Sequence, residues 1–255
     1  MTSSWLLYLA AATGCQAVFA LCYWLALARL STFAWNRAYL LSSLALGAVL
    51  PLVALPAAWA PLLWPSDAAA ATWVLPAWPL HSARPEIALE AGPAARFTWA
   101  TLVLVAYWLG VAWQVGRTLR SLGWLYRLGR RHPRTRLGRG WLVQLPTPGR
   151  PAFSFGNYVF LSPAHARLSP PEYAQLVQHE QVHGAQYHSL DLLLAEVAGW
   201  FFWFNGLVFH LRRELRTVHE YLADAAVAQA AGSRVAYGHL LLKLAAGPQK
   251  GAPAR

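Results

Sequence analysis

Residues 169–183 read Ser-Pro-Pro-Glu-Tyr-Ala-Gln-Leu-Val-Gln-His-Glu-Gln-Val-His, and the first four open a helix. Ser169 serves as the N-cap. Pro170 and Pro171 fill the first turn, where a missing N–H costs nothing, and Glu172 completes a capping box. Further along, the same helix carries His179-Glu180-Gln181-Val182-His183. Spacing of i and i+4 puts both imidazoles on one helical face, where they can grip one zinc ion. Glu180 lies beside them, able to take a proton from a water at the metal. Weighed against this is a plainer reading of two surface histidines on a polar turn.

A catalytic zinc takes three protein ligands and keeps one position open. Downstream lies His219-Glu220-Tyr221-Leu222-Ala223-Asp224, in a chain with only ten Asp and Glu. Glu220 and Asp224 share a helical face. Glu220 can complete a His/His/Glu site, and Asp224, one turn later, can orient a ligand imidazole through its free N–H. His188 is the rival third ligand. The HExxHxxGxxH pattern needs that histidine six residues after the second and a turning Gly before it, and here neither is present. His188 therefore reads as a supporting residue. With zinc in place the chemistry indicated is hydrolysis, the metal polarising a carbonyl while Glu180 accepts the proton.

Before this helix, Trp141–Leu145 and Phe153–Leu161 are short, aromatic and β-branched, as strands should be, with Gly156-Asn157 as a turn or bulge in the second. After it, Leu190–Leu211 is apolar enough to suggest a span. A crossing there would put Glu220 on the opposite side of the bilayer from His179 and His183. Asp191, Glu196, Asn205 and His210 make it a poor lipid-facing helix, given the cost of charge at that depth. A helical hairpin breaking near Asn205-Gly206 keeps the ligands together, with the aromatic cluster Trp200–Phe204 as core or interfacial anchor.

The amino-terminal half has a different texture. Trp5–Ala28, Tyr39–Trp64 and Phe97–Val115 are apolar runs, each read as a membrane-spanning helix of the length that ~30 Å of hydrocarbon needs. Pro65–Arg96 reads as an extramembrane loop. Hydrophobic residues make up 57% of the chain and charged ones 12%, about half the share of a soluble domain. The mean hydropathy is +0.33, and the fourteen Trp suit a membrane–water interface. Cys15 and Cys22 are small apolar packing residues of the first run. The net charge of +11 is concentrated in Arg117, Arg120, Arg127, Arg130, Arg131, Arg134, Arg136 and Arg139. Arginines at a membrane exit mark the cytoplasmic side and suit anionic lipid headgroups. With no helix-turn-helix or zinc-finger pattern beside them, direct nucleic-acid binding is not expected. Arg29 and Arg37 place their loop on the same side. The N-terminus is thus expected outside the inner membrane and everything after residue 116 in the cytoplasm.

Residues from about 141 to 245 resemble the antirepressor metallopeptidases of the BlaR/MecR type, bacterial membrane peptidases first known from β-lactam sensing. The resemblance rests on Phe153-Ser154-Phe155-Gly156, His179-Glu180-Gln181-Val182-His183, Phe202-Trp203-Phe204-Asn205 and His219-Glu220-Tyr221-Leu222-Ala223-Asp224, in that order. It implies a gluzincin-type zinc site with Glu220 as third ligand. It also implies that Phe153, Ser154, Phe155 and Gly156 lie on an edge strand against which a peptide is laid. The implied substrate is a cytoplasmic or juxtamembrane protein segment, such as a repressor or the peptidase itself. The expected fold is a mainly α membrane protein: three transmembrane helices in residues 1–116, a basic juxtamembrane segment in 117–140, and an α+β metallopeptidase domain with a small edge sheet in 141–255. Gly206 departs from the family, which usually has Pro there. The chain stops at Arg255 without a sensor domain, so a β-lactam receptor role is not expected, and a homodimer or a partner sensor protein stays open. Two rivals remain: a housekeeping membrane protease of the HtpX type, and a non-catalytic signalling scaffold with a vestigial site.

Overall fold

The computed structural model describes residues 2–53, 99–231 and 234–245. Helix α1 (Thr2–Cys22) continues through a wider π turn to Leu27, and α2 (Phe33–Val49) turns back along it. Helix α3 (Trp99–Arg131) leads into β1 (Arg134–Leu137), β2 (Gly140–Gln144), β3 (Phe153–Phe155) and β4 (Tyr158–Leu161). Four helices follow: α4 (Pro170–Ala185), α5 (His188–Phe201), α6 (Gly206–Ala230) and α7 (Arg234–Ala245).

Two described helices are long and apolar enough to cross a bilayer, over Trp5–Leu27 and Thr101–Arg131, rather than the three expected. The second run starts earlier than its apolar stretch suggests. Its described part is a helix of 17 residues, about 26 Å long at 1.5 Å per residue. That helix buries Asn36, Leu40, Ser43, Leu44 and Gly47 and leaves Trp35, Leu46 and Val49 exposed. The remainder to Trp64, and the loop expected over Pro65–Arg96, lie outside the described residues. The third run extends as one helix through Arg117–Arg131, well past its apolar part.

Helices α5 and α6 join the amino-terminal helices in one apolar core. Ala12, Tyr23, Leu40, Tyr107, Val111, Ala195, Phe202, Leu211 and Leu215 are all buried there. The hairpin breaks at Asn205-Gly206, as the sequence suggests. Asn205 caps α6 by accepting from the Leu207 amide at 2.9 Å, and Gly206 occupies the first helical position, where proline also fits. Asn205 Nδ2 donates to Gln16 Oε1 of α1 at 2.6 Å, both side chains buried. The Trp200–Phe204 cluster packs on α3: Trp200 Nε1 donates to Thr118 Oγ1 at 3.1 Å and Tyr107 Oη to the Phe201 carbonyl at 3.0 Å. Phe202 is core, Trp200 and Trp203 are half-buried, and Phe201 and Phe204 are exposed.

The sheet runs β1-β2-β4-β3, with β2 and β4 parallel and both edge strands antiparallel to their neighbours. Period-two alternation gives it two faces. Leu142, Val159 and Leu161 pack with Leu176 and Val177 of α4, while Val143, Leu145 and Phe160 pack with Leu128 of α3. The run Phe153–Leu161 is therefore a hairpin of two strands, turned at Gly156 with φ +55°. Strand β1 arises within the arginine-rich stretch, where no apolar alternation announces it. Arg134 and Arg136 lie over the Trp141 ring at 5.0 and 5.5 Å from its centroid, holding the edge by cation–π contact.

Candidate metal centre

The capping box that starts α4 is present: the Ser169 amide donates to Glu172 Oε2 at 2.8 Å. Leu176 and Val177 fasten the helix to the sheet, which turns His179 and His183 toward α6. Gly184 lets α4 approach the β3–β4 turn, because a Cβ there would sit 2.6 Å from the Gly156 carbonyl. Helix α6 brings Glu220 to the same point.

The His179 and His183 Nε2 atoms lie 3.2 Å apart. Glu220 Oε2 is 3.4 Å from His179 Nε2, and its Oε1 is 3.8 Å from His183 Nε2. Ligand atoms about 2.0–2.1 Å from a tetrahedral zinc are separated by roughly 3.3–3.4 Å. The three donors thus stand at about the edge length of that tetrahedron. They belong to a group of ligand atoms all within 4.8 Å of one another. Two imidazoles and a carboxylate are also a donor set that zinc accepts. The residues fit the metal.

Each imidazole is held from behind. With Nε2 facing the centre, the Nδ1 proton of His179 points to Asp224 Oδ1 at 3.1 Å and to Tyr237 Oη at 2.9 Å. Tyr237 itself donates to Asp224 at 2.7 Å. On the other ligand, His183 Nδ1–H donates to His188 Nδ1 at 2.8 Å, leaving His188 Nε2–H to donate to Gln186 Oε1 at 3.1 Å. His188 therefore stands behind the ligand, away from the three converging donors. Its ring stacks on His219 at 4.0 Å, and His219 Nε2 donates to Asp191 Oδ2 at 2.9 Å. Arg37 of α2 closes the chain, donating to Asp191 Oδ2 at 2.6 Å and to the Gln186 carbonyl at 2.7 Å.

Electrostatics follow from this arrangement. Burial works to lower His179, but hydrogen bonds to Asp224 and Glu220 outweigh it and raise its pKa to about 9. Burial, then the charges of His219, His183 and Arg37, bring His188 down to about 3. Burial likewise holds His219 down to about 4, against the pull of Asp191. Glu180, buried at 6% exposure, is pushed up by burial, while a hydrogen bond from Ser154 and the charge of His179 pull it back.

Two expected outcomes follow. A protonated His179 cannot bind through Nε2, so metal uptake must release its proton. Below pH 9 the proton competes, and above it the competition ends. Apparent zinc affinity should therefore climb roughly tenfold per pH unit between 7 and 9 and then level off. Calorimetry in buffers of different ionisation enthalpy counts the proton; uptake unchanged across that window would mean His179 is already neutral. Separately, His188→Phe keeps the ring but removes the acceptor for His183 Nδ1–H. Zinc affinity, measured by chelator competition, should fall about 10–100-fold; unaltered affinity would show that His183 needs no such support.

Beside the centre opens a cleft of about 820 Å³ reaching His179, Glu180, Glu220 and Asp224. Its walls are Gly149–Ala152, the 3₁₀ turn Pro163–Arg167 with Leu168, and the leucines of α7. Strand β3 is the free edge beside α4. Ser154 reaches Glu180, whereas Phe153 and Phe155 pack with Phe160 on the α3-facing side. The Gly156 amide is already given to Ser189 Oγ at 3.0 Å. Tyr237, Asp191 and Arg37 are not singled out as site residues by the sequence. Asp191 alone leaves a signal there, as an acid inside an apolar run.

Two histidines and a glutamate thus converge from an HExxH helix and the helix that packs on it, with an acid behind one imidazole, as a group that could hold one metal ion. Residues 153–254 match the family model of the BlaR1 peptidase M56. No curated protein and no solved structure matches the chain.

Proposed function

We propose that the protein is an integral-membrane zinc endopeptidase that hydrolyses a cytoplasmic or juxtamembrane protein, or itself, in a signal-responsive pathway. The observation that carries this reading is the convergence of His179, His183 and Glu220 beside a buried Glu180. These three side chains would hold the zinc, which when bound would supply Lewis-acid polarisation of the scissile carbonyl and a water acidic enough to attack near pH 7. Glu180 accepts the proton of the attacking water and returns it to the leaving amine. Its burial, which lifts the carboxyl above its ordinary value, suits that double duty. Ser154 fixes the Glu180 carboxylate, and Asp224 with Tyr237 fixes His179. The edge strand β3 and the cleft give an extended peptide a place to lie.

Membrane insertion is supported by the exposure of Trp24, Leu25, Trp35, Trp99, Leu109 and Trp113; lipid accommodates a contiguous apolar surface that water does not. The arginines after Val115 support a cytoplasmic catalytic side. The reading divides the chain into a membrane region to residue 116, a basic connector to 140 and the peptidase beyond. A transcriptional repressor suits the substrate role by the family resemblance.

Reporter fusions after residue 140 and at the C-terminus should both register cytoplasm, since α5 and α6 return to the side they left. Opposite compartments for the two fusions would overturn the topology. In detergent, the zinc-loaded protein should cleave itself or a candidate repressor and lose that activity to a chelator. A fully zinc-loaded protein that cleaves nothing under these conditions would leave a non-catalytic scaffold as the better reading.

A further inference from the structure

Between α3 and α6 lies a cleft of about 320 Å³ lined by Arg117, Phe209, Arg212, Arg213 and Arg216. One carboxylate answers these four guanidiniums. Glu196 of α5 takes Arg117 at 3.2 Å and also Arg212, and accepts from Thr118 at 3.0 Å. The nearby Glu214 turns instead to His210 and Tyr23. Among the described residues, no ion pair or side-chain hydrogen bond engages the Arg213 or Arg216 guanidinium. Other arginines of this basic face rest on aromatic rings, Arg120 on Trp113 and Arg130 on Tyr126. The cleft therefore holds about three uncompensated positive charges, two of them on exposed side chains with their donors free.

Its depth is readable. Gln16 is the middle residue of the apolar segment Trp5–Leu27, and Asn205, immediately before α6, is bonded to it. Arg212, Arg213 and Arg216 lie six to ten residues into α6, roughly 9–15 Å along its axis. Half the hydrocarbon thickness is about 15 Å. The guanidiniums thus stand where acyl chains give way to headgroups, with the Phe209 ring on the cleft wall.

We infer that this cleft is a phosphate site, formed by Arg213 and Arg216 against the Glu196-anchored Arg117 and Arg212, that takes the phosphodiester of an anionic lipid. The planar forks of Arg suit bidentate contact with phosphate oxygens, and Phe209 suits the first carbons of the chains. The depth argument rests on the membrane reading above; the charge argument does not.

Native mass spectrometry of the full chain in detergent, titrated with phosphatidylglycerol or phosphatidylcholine, tests it. The wild type should retain about one phosphatidylglycerol in preference to phosphatidylcholine. R213Q/R216Q should lose that retention at least tenfold, while R127Q/R130Q, an equal loss of charge outside the cleft, should keep it. R213K/R216K, which preserves charge without the fork, should fall between. Melting temperatures near wild type certify that the variants fold. Equal losses in the two glutamine variants would reduce the site to diffuse surface charge and overturn the inference. Displacement of the lipid by millimolar inorganic phosphate would identify free phosphate as the occupant and overturn the lipid source. Recovery of the protein from the soluble fraction without detergent would sink the membrane reading, while arginine-dependent phosphate binding would still uphold the charged cleft.

Discussion

Glu220→Ala protein is expected to purify folded and essentially without zinc, where the wild type carries about one zinc per chain. Zinc bound by a four-ligand structural site is worth about 10–16 kcal/mol, or roughly 3 kcal/mol per ligand. One ligand therefore stands for a factor of about 10²–10³ in affinity. The fold should tolerate the change. The Glu220 side chain is 60% exposed, alanine is the best helix former, and a substitution at such a position shifts stability by about 0.5 kcal/mol or less. His183→Ala should also empty the site at greater structural cost, since it leaves buried His188 without its Nδ1 partner. Metal analysis and a melting curve on both variants separate the two effects. Full zinc occupancy in Glu220→Ala would remove that residue from the ligand set. His188 could replace it only after a rearrangement, because its ring now stands behind His183.

What the sequence reveals of this site is what short-range physics writes there. The capping box at Ser169–Glu172, the i, i+4 imidazoles of α4 and the helical pairing of Glu220 with Asp224 each span a turn or two, and spacing alone defines them. The hairpin break at Asn205-Gly206 is legible for the same reason: an Asn cap and the cost of burying Asp191 and Glu196 are local facts. Other features depend on partners far away in the chain. Arg37 and Asp191 meet across 154 positions, and no periodicity pairs them. Tyr237 reaches His179 from α7, 58 positions along the chain, and no local motif marks it. Strand β1 is polar in sequence because cation–π contacts with Trp141 replace the buried face that alternation would display. The second apolar run is only partly decided for a related reason: α2 packs on α1 and α6 along one side and exposes Trp35, Leu46 and Val49 on another, and a helix in a bundle and a helix in lipid share a composition.

Glu180→Gln is expected to bind zinc as tightly as the wild type, fold as well, and lose proteolysis by at least ~10²-fold, the lower end for removal of a general base. Glu180 projects about 100° around α4 from His179 and about 60° from His183, so it borders the metal centre without joining the three converging donors. Glutamine keeps the volume and can still accept from Ser154. It removes the basic carboxylate and with it the proton shuttle. Burial makes the substitution informative for stability too. A carboxylate at 6% exposure is costly to hold in the folded state, and a neutral amide relieves that cost, so the melting temperature should stay level or rise. A rise in stability together with a collapse in cleavage is the signature of a group kept for chemistry. Zinc-loaded Glu180→Gln that cleaves at the wild-type rate would assign water activation to another group. The next acid on this side of the centre is Asp224, already committed to His179 and Tyr237, and Asp224→Asn in the Glu180→Gln background would then be the deciding measurement.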